Sequence, residues 1–301
     1  MHNQPSNEYR HRVLIIYNPI AGQRHRHRVE RTLDLLRRQG ALTTIQETTA
    51  RGDAETYARL VDRRDWDVLV VAGGDGTINE VVNGLGDEAP PLALLPIGTA
   101  NVLAAEIGLD LSPAAIAAAI VGGRPTTTYL GQAGHQHFVM MAGCGFDAEV
   151  VAGVDPAVKR RIGKGAYVLE SLRQMLRYRF PWFQVTVDGR AYRAASAIVA
   201  NGHFYAGRFV SAPAARLTDA TLHVCLFTRT GLWNVVRYAW GLWSGRLHRF
   251  SDVEIVAGRE ILLDGQPGDP VQADGDLIAE LPVPVRVAER RLTLLYPPTP
   301  A

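Results

Sequence analysis

The first 120 residues alternate short apolar runs with segments whose apolar residues recur at helical spacing, which is the pattern of a parallel sheet with crossover helices. Val13 to Tyr17 reads as a buried strand. Val29, Leu33 and Leu36 then recur at helical spacing, Gly40 supplies the stop, and Leu42 to Ile45 resumes extended chain. A second helix is predicted around Ala54 to Leu60 and a central strand at Val68 to Val71. Further on come a short helix at Ile78 to Val82 closed by Gly84, a strand at Leu92 to Leu95, and helices starting from Asn101 and Ser112.

Gly122, Gly123, Arg124 and Pro125 break this rhythm, so a domain boundary is placed there: 1–125, then 126–296, with a tail at 297–301 that returns to the first domain. The second part reads as mostly antiparallel β structure. Its strands are predicted at Thr126 to Leu130, Phe138 to Ala142, Phe183 to Val187, Tyr192 to Val199, Leu222 to Phe227, Val253 to Val256 and Pro284 to Val287. Asp188-Gly189 is a hairpin-turn dipeptide, and helical patterns stand near Gly165 to Tyr178 and Leu232 to Leu247.

Three glycine-bearing turns end strands of the first part. Gly73-Gly74-Asp75-Gly76-Thr77 stands directly between an apolar strand and a helix, where glycines admit phosphate oxygens to backbone N–H groups and the helix N-terminus adds a favourable dipole. No Gly-Lys-Ser/Thr follows, so it is not a Walker loop, and Asn79 stands where a Rossmann fingerprint has its third glycine. A plain strand-to-helix turn uses the same residues. Pro96-Ile97-Gly98-Thr99-Ala100-Asn101 follows the next strand and Asn18-Pro19-Ile20-Ala21-Gly22 the first. Each alone is an ordinary turn; together they would line the carboxyl edge of one sheet, where ligands of open α/β sheets bind.

The set Asn18-Pro-x-x-Gly22, Gly73-Gly-Asp-Gly-Thr-Ile-Asn-Glu80 and Pro96-x-Gly-Thr-Ala-Asn101 resembles the diacylglycerol kinase catalytic family, and within it the soluble bacterial lipid kinases related to sphingosine and ceramide kinases. Gly143-Cys-Gly-Phe-Asp147, Asn201-Gly202 and Asp274-Gly-Asp276 extend the resemblance over nearly the whole chain. It implies an α/β N-terminal domain of the NAD kinase and phosphofructokinase kind, followed by a β-sandwich. ATP would be bound by Asn18, Pro19 and Gly22, by Thr48 ahead of Gly52-Asp53, by Gly73, Gly74, Asp75, Gly76, Thr77 and Asn79, and by Gly98, Thr99 and Asn101. Asp75 would sit near the Mg2+-phosphate unit, since phosphoryl transfer is mainly positioning and charge neutralisation.

The family closes an Asp-Gly-Glu element with a glutamate as general base. Asp276 occupies that place and is the expected base, one methylene shorter; Asp274-Gly275 is also a common hairpin turn. A structural Mg2+ in similar proteins sits on an Asp-Gly turn, matching Asp219 with carbonyls of Arg216 and Thr221. Ala220 replaces that glycine, which would strain a turn needing positive φ. Val102 stands where many relatives have aspartate.

The chain carries 32 basic and 30 acidic residues, so no global field marks a nucleic-acid binder, and all basic residues except Lys159 and Lys164 are arginine. Cys144 and Cys225 are far apart, which fits buried fillers in a reducing compartment. No apolar run approaches the roughly 18 to 20 residues of a bilayer span, and Met1 to His11 has no signal-peptide core, so the expectation is a cytoplasmic, transiently membrane-associated protein. Trp233, Trp240 and Trp243 share one helical segment with Arg237, Arg246 and Arg249, and no acid lies between Gly231 and Phe250. Such a segment suits a headgroup region, as does Lys159, Arg160, Arg161 and Lys164 ahead of Ala166 to Leu169; packing of the tryptophans on the β domain is the alternative. His25 and His27 in Arg24 to Arg28 are read as a solvated helix start without metal.

These readings converge on a lipid kinase that transfers the γ-phosphoryl group of ATP to a lipid hydroxyl, diacylglycerol-like or sphingoid-like, in a cleft between the two domains at a membrane surface. A small-molecule kinase resembling NAD kinase and an inactive nucleotide-binding membrane-associated regulator are the rivals. Oligomeric state is left open.

Overall fold

The computed structural model describes residues 11–22, 25–153, 170, 173 and 178–298. The basic cluster Lys159, Arg160, Arg161 and Lys164, the stretch Ala166 to Leu169 and Arg24 lie outside them, as does nearly all of the helix predicted near 165–178. Contacts divide the chain into two compact units, Met1–Thr128 with Leu292–Ala301, and Tyr129–Arg291.

The first unit runs β1 (Arg12–Tyr17), α1 (Pro19–Gly22), α2 (Arg26–Arg38), β2 (Leu42–Glu47), α3 (Asp53–Ala58), β3 (Val68–Gly73), α4 (Asp75–Gly84), β4 (Leu92–Pro96), α5 (Val102–Glu106) and α6 (Pro113–Gly122). Its strands are parallel in the order β2-β1-β3-β4, and Leu294 near the chain's end adds a further parallel partner to Leu92. Every residue of β3 is buried, as the wholly apolar Val68 to Val71 requires of a strand with partners on both sides and helices on both faces. Strand β2, with the exposed Leu42 and Ile45, is the edge. Helix α2 buries Val29, Leu33 and Leu36 on one stripe and ends before Gly40, whose φ of 82° only glycine adopts without cost. Ser112 accepts the Ala115 N–H and Pro113 opens the first turn of α6, the expected start signal.

β5 (Arg124–Ala133) leads into the second unit, which contains β6 (Gln136–Phe138), β7 (Met141–Cys144), α7 (Phe146–Gly153), β8 (Phe183–Val187), β9 (Arg190–Ala194), β10 (Ser196–Ala200), β11 (Phe204–Tyr205), β12 (Phe209–Val210) and β13 (Leu222–Phe227). α8 (Leu232–Trp243), β14 (Val253–Gly258), β15 (Glu260–Asp264), β16 (Pro270–Ala273), β17 (Asp276–Glu280) and β18 (Val283–Tyr296) complete the chain. One antiparallel sheet has the order β14-β13-β10-β7-β16-β17. Against it stands the antiparallel run of β9, β8, β15 and the start of β18. Phe183, Val185, Val187, Ile261 and Val285 from this second layer share one buried cluster with Ala142, Val199, Val224, Leu226 and Val271 from the first, so the unit is a β-sandwich.

Two predicted strands are in fact broken. Tyr192 to Val199 splits at Ala195, where the chain changes sheets and the Ala195 N–H donates to Phe227 O at 2.7 Å. Phe138 to Ala142 splits at Val139 and Met140, because side chains take their backbone groups. The Asp274 carboxylate accepts N–H bonds from Val139 (2.7 Å), Met140 (2.9 Å) and Met141 (3.0 Å). Asn201, fully buried, donates from Nδ2 to Val139 O at 2.7 Å and Tyr129 O at 2.9 Å, and its own N–H bonds Met140 O.

Asp274 and Gly275 have φ of 49° and 86° between paired Ala273 and Asp276, a two-residue type I′ hairpin; Asp188-Gly189 repeats it, with φ of 46° and 84°, as expected. Asn tolerates the same left-handed conformation, so Asp274→Asn isolates the carboxylate. Losing charge-assisted bonds to three backbone donors should cost about 2 kcal/mol in chemical denaturation. A loss under about 0.5 kcal/mol would show that Asp274 does not staple the break between β6 and β7.

Candidate functional site

In the first unit the turns after β1, β3 and β4 are tied together by backbone bonds: Asn18 N–H to Ala72 O at 2.9 Å, and Ile97 N–H to Gly73 O at 3.0 Å. The Asn18 side chain accepts the N–H groups of Ile20 and Ala21, capping the short α1 with Pro19 in its first turn, and donates to Thr77 Oγ1 at 3.0 Å. Thr77 is buried and lies against Gly73, where a Cβ would come within 2.5 Å of the threonine Cβ. A Cβ on Gly98 would stand 2.5 Å from Gly74 Cα and 3.0 Å from Asn101 Oδ1. Gly98 is therefore required by backbone-to-backbone approach, and Gly73 by the Thr77 side chain packed on it. The N-terminus of α4 opens at Gly74, which brings no side chain to its own cap.

Asp75 has a structural partner that the motif does not announce. Its Oδ1 accepts the Val102 N–H at 2.7 Å and so holds the start of α5. Position 102 thus supplies its backbone to Asp75 while the Val102 side chain is buried. Asn101 adopts a left-handed conformation (φ 48°, ψ 50°), donates from Nδ2 to Gly98 O at 3.0 Å, and keeps a buried Oδ1 without a protein partner. Thr99 is exposed beside it, and Asn79 accepts from Asn83 one helical turn on at 2.9 Å. Thr48 is buried at the end of β2, its N–H on Tyr17 O at 2.8 Å. Beyond it, Asp53 Oδ2 accepts the N–H groups of Thr49 and Ala50, and these bonds hold its carboxyl below the usual range. Gly52, with φ of 89°, donates its N–H to Glu80 on α4. The predicted residues of this unit are thus brought to one edge of the sheet. An orphaned buried amide oxygen, a carboxylate and a helix N-terminus that opens at glycine are groups that fit a magnesium-bound polyphosphate.

In the second unit the hairpin readings of Asp274 and Asp276 separate. Asp274 is the staple, and the half-buried Asp276 opens β17 opposite Ala273. Beside this hairpin lies a cluster to which sequence reasoning attached no role. Gln272 Oε1 accepts the Gly275 N–H at 3.0 Å while its Nε2 donates to Asp147 Oδ2 at 2.7 Å, and the Tyr205 hydroxyl donates to Asp147 Oδ1. Burial raises the Asp147 carboxyl pKa, opposed by those two bonds. Asp147 stood in a recognised motif, but Tyr205 and Gln272 carry no sequence signal. Gly145, with φ of 92°, and Gly143, whose Cβ would sit 3.2 Å from Asp147 Oδ2, let α7 fold back onto the sheet.

Asp219 and Asp276 share one edge of this sheet but are separated by β10, β7 and β16. The Asp219 N–H donates to Arg216 O at 3.0 Å, and its exposed carboxylate lies beside Thr218. Ala220 is outside the left-handed region, so the strain expected from its replacing glycine is absent. One carboxylate with backbone carbonyls is the donor set available; no group of three or more His, Cys, Asp or Glu converges among the described residues. Cys144 and Cys225 are buried fillers, and burial pushes both thiols up to about 12. Among the described residues no helix is long and apolar enough to cross a membrane.

The family model for the diacylglycerol kinase catalytic domain matches residues 12–133, and that for the YegS C-terminal NAD kinase beta sandwich-like domain matches 140–296. A diacylglycerol kinase of Bacillus subtilis (strain 168) is 30% identical over 234 residues, 76% of this chain and 77% of the relative. One of Staphylococcus aureus (strain MRSA252) is 26% identical over 228 residues, 74% of this chain and 72% of that protein. The crystal structure of a diacylglycerol kinase from Bacillus anthracis str. Sterne superposes with a TM-score of 0.77 at 26% identity, covering 96% of this chain and 98% of its own. With two family models spanning both units and these relatives matching about three quarters of its length, the chain belongs to the diacylglycerol kinase catalytic family of lipid kinases.

Proposed function

We propose that this chain transfers the γ-phosphoryl group of ATP to the hydroxyl of a diacylglycerol-like or sphingoid-like lipid. The observation that carries the reading is the mutual pinning of the three glycine turns, with the Asn101 oxygen left over for a ligand. The nucleotide falls to Asn18, Pro19, Gly22, Thr48, Gly73, Gly74, Gly76, Thr77, Asn79, Gly98, Thr99 and Asn101, some of which, like buried Thr77, act by shaping the backbone.

As the acceptor oxygen bonds to the γ-phosphorus, the bond to the β,γ-bridging oxygen breaks and ADP leaves; the acceptor's proton passes to the Asp276 carboxylate. Gln272 fixes the Gly275 amide beside this base, and Asp147 and Tyr205 hold Gln272 in turn. Asp75, already anchored through Oδ1 on Val102, directs its carboxylate group at the polyphosphate. Mg2+ entering with the nucleotide would neutralise the charge on the phosphate oxygens, with Asp75 as its protein ligand. A second, structural Mg2+ on the Asp219 carboxylate and the Arg216 and Thr221 carbonyls belongs to the same reading.

Purified protein incubated with labelled ATP and detergent-dispersed diacylglycerols, sphingoid bases and ceramides should phosphorylate one class. Asp276→Asn should lower kcat about 10³-fold or more with little change in KM for ATP, because it removes a proton acceptor and not a nucleotide contact. Unchanged turnover would remove Asp276 from the mechanism. ATP binding without lipid-dependent turnover would favour the regulator, and NAD phosphorylation the small-molecule kinase.

For the structural ion, EDTA should lower the thermal midpoint by about 4 °C, Mg2+ should restore it, and Asp219→Ala should abolish the response. A midpoint indifferent to EDTA would leave Asp219 as an ordinary turn residue.

A further inference from the structure

Helix α8 presents its tryptophans to solvent. At 3.6 residues per turn, Trp233, Val236, Trp240 and Trp243 fall within about 100° of arc. Their exposures are 78%, 42%, 48% and 73%, and Leu232 at the helix start adds 43%. The opposite side holds this face outward. Tyr238 is buried with its ring 4.9 Å from that of Phe227 and its hydroxyl on Asp252 at 2.6 Å, and a Cβ at Gly241 would lie 2.8 Å from the Phe250 ring. The helix cannot roll to hide its tryptophans without breaking these contacts.

No acidic residue lies between Gly231 and Phe250, so the charges on the helix and just beyond it are of one sign. Arg246, His248 and Arg249 are exposed just beyond the helix, and Arg246 and Arg249 form no ion pair among the described residues. Asp252, the first acid after them, is buried and bonded by Arg237 and Tyr238, so its charge is answered internally. Arg237, grouped by sequence with the surface cations, is therefore a structural partner.

We infer that this face docks on an anionic lipid bilayer, with the three tryptophans at headgroup depth and Arg246 and Arg249 against lipid phosphates. The choice of a bilayer over a protein partner rests on the lipid-kinase reading, together with the indoles, whose apolar rings and polar N–H suit the interface, and the unopposed cations.

Cosedimentation of the full chain with vesicles of phosphatidylcholine, with and without about 30 mol% phosphatidylglycerol, tests it. The wild type should bind the anionic vesicles, and brominated lipid should quench its tryptophan fluorescence. Trp233→Ser with Trp243→Ser should weaken binding about tenfold or more, and Arg246→Gln with Arg249→Gln should remove about tenfold from the anionic preference only. Both variants should keep the wild-type thermal midpoint and turnover on detergent-dispersed lipid. Wild-type protein that ignores both vesicles, or variants that bind like wild type, would overturn the inference. So would a concentration-dependent dimer in sedimentation that the tryptophan variant abolishes, since the face would then serve a second copy. Vesicle binding lost in the variants, with no lipid phosphorylated by wild type, would sink the kinase reading and leave the docking face standing.

Discussion

The approach of Gly98 to Gly74 is the contact on which the first unit depends. Two turns from neighbouring parallel strands meet there backbone to backbone, closer than any Cβ permits. That contact holds the end of β4 over the start of α4, and the Gly73 carbonyl fixes it further by accepting the Ile97 N–H. Around it, Asn18 reaches from the first turn to Thr77 and Asp75 reaches from α4 to the first amide of α5. Asn18 and Asp75 are thus spent on holding neighbouring turns, so the edge is preorganised before any ligand arrives, which lowers the cost of ordering it on binding.

The second unit solves a similar problem with side chains. Two Asp-Gly hairpins place their aspartates in the left-handed region, and each carboxylate then accepts backbone N–H groups from a distant segment. Asp188 takes those of Arg259 and Glu260, and Asp274 those of Val139, Met140 and Met141. Asn201 answers the carbonyls of the same break. An Asp-Gly-Asp element thus divides its labour over three residues: the first aspartate is architecture, the glycine closes the turn, and the second opens β17, the place from which the proposed mechanism takes its base.

Much of the first unit was legible because buried parallel strands are continuous apolar runs and their helices carry clear stops, as at Gly40 and Gly84. In the sandwich, Tyr192 to Val199 reads as one strand because its apolar content runs on through Ala195, where the chain changes sheets. The break at Val139 is equally invisible, since it is made by Asp274, more than a hundred residues away. β15, β16 and β17 went unread: they mix charged and proline residues with short apolar pairs and take their identity from partners. For the site, glycine spacing marked the proposed nucleotide edge, whereas Gln272 and Tyr205 meet on Asp147 through tertiary contacts that no local pattern announces. The exposure of the α8 tryptophans likewise follows from which face Tyr238 and Gly241 bury, a choice that composition cannot make.

The Gly74–Gly98 contact is what shapes the proposed nucleotide edge. Calorimetric titration of Gly98→Ala with ATP addresses it directly. The added methyl must push the two turns apart, and ATP affinity should fall about tenfold or more while circular dichroism keeps the wild-type secondary structure. An affinity equal to wild type, with the fold intact, would contradict the claim and place the nucleotide elsewhere.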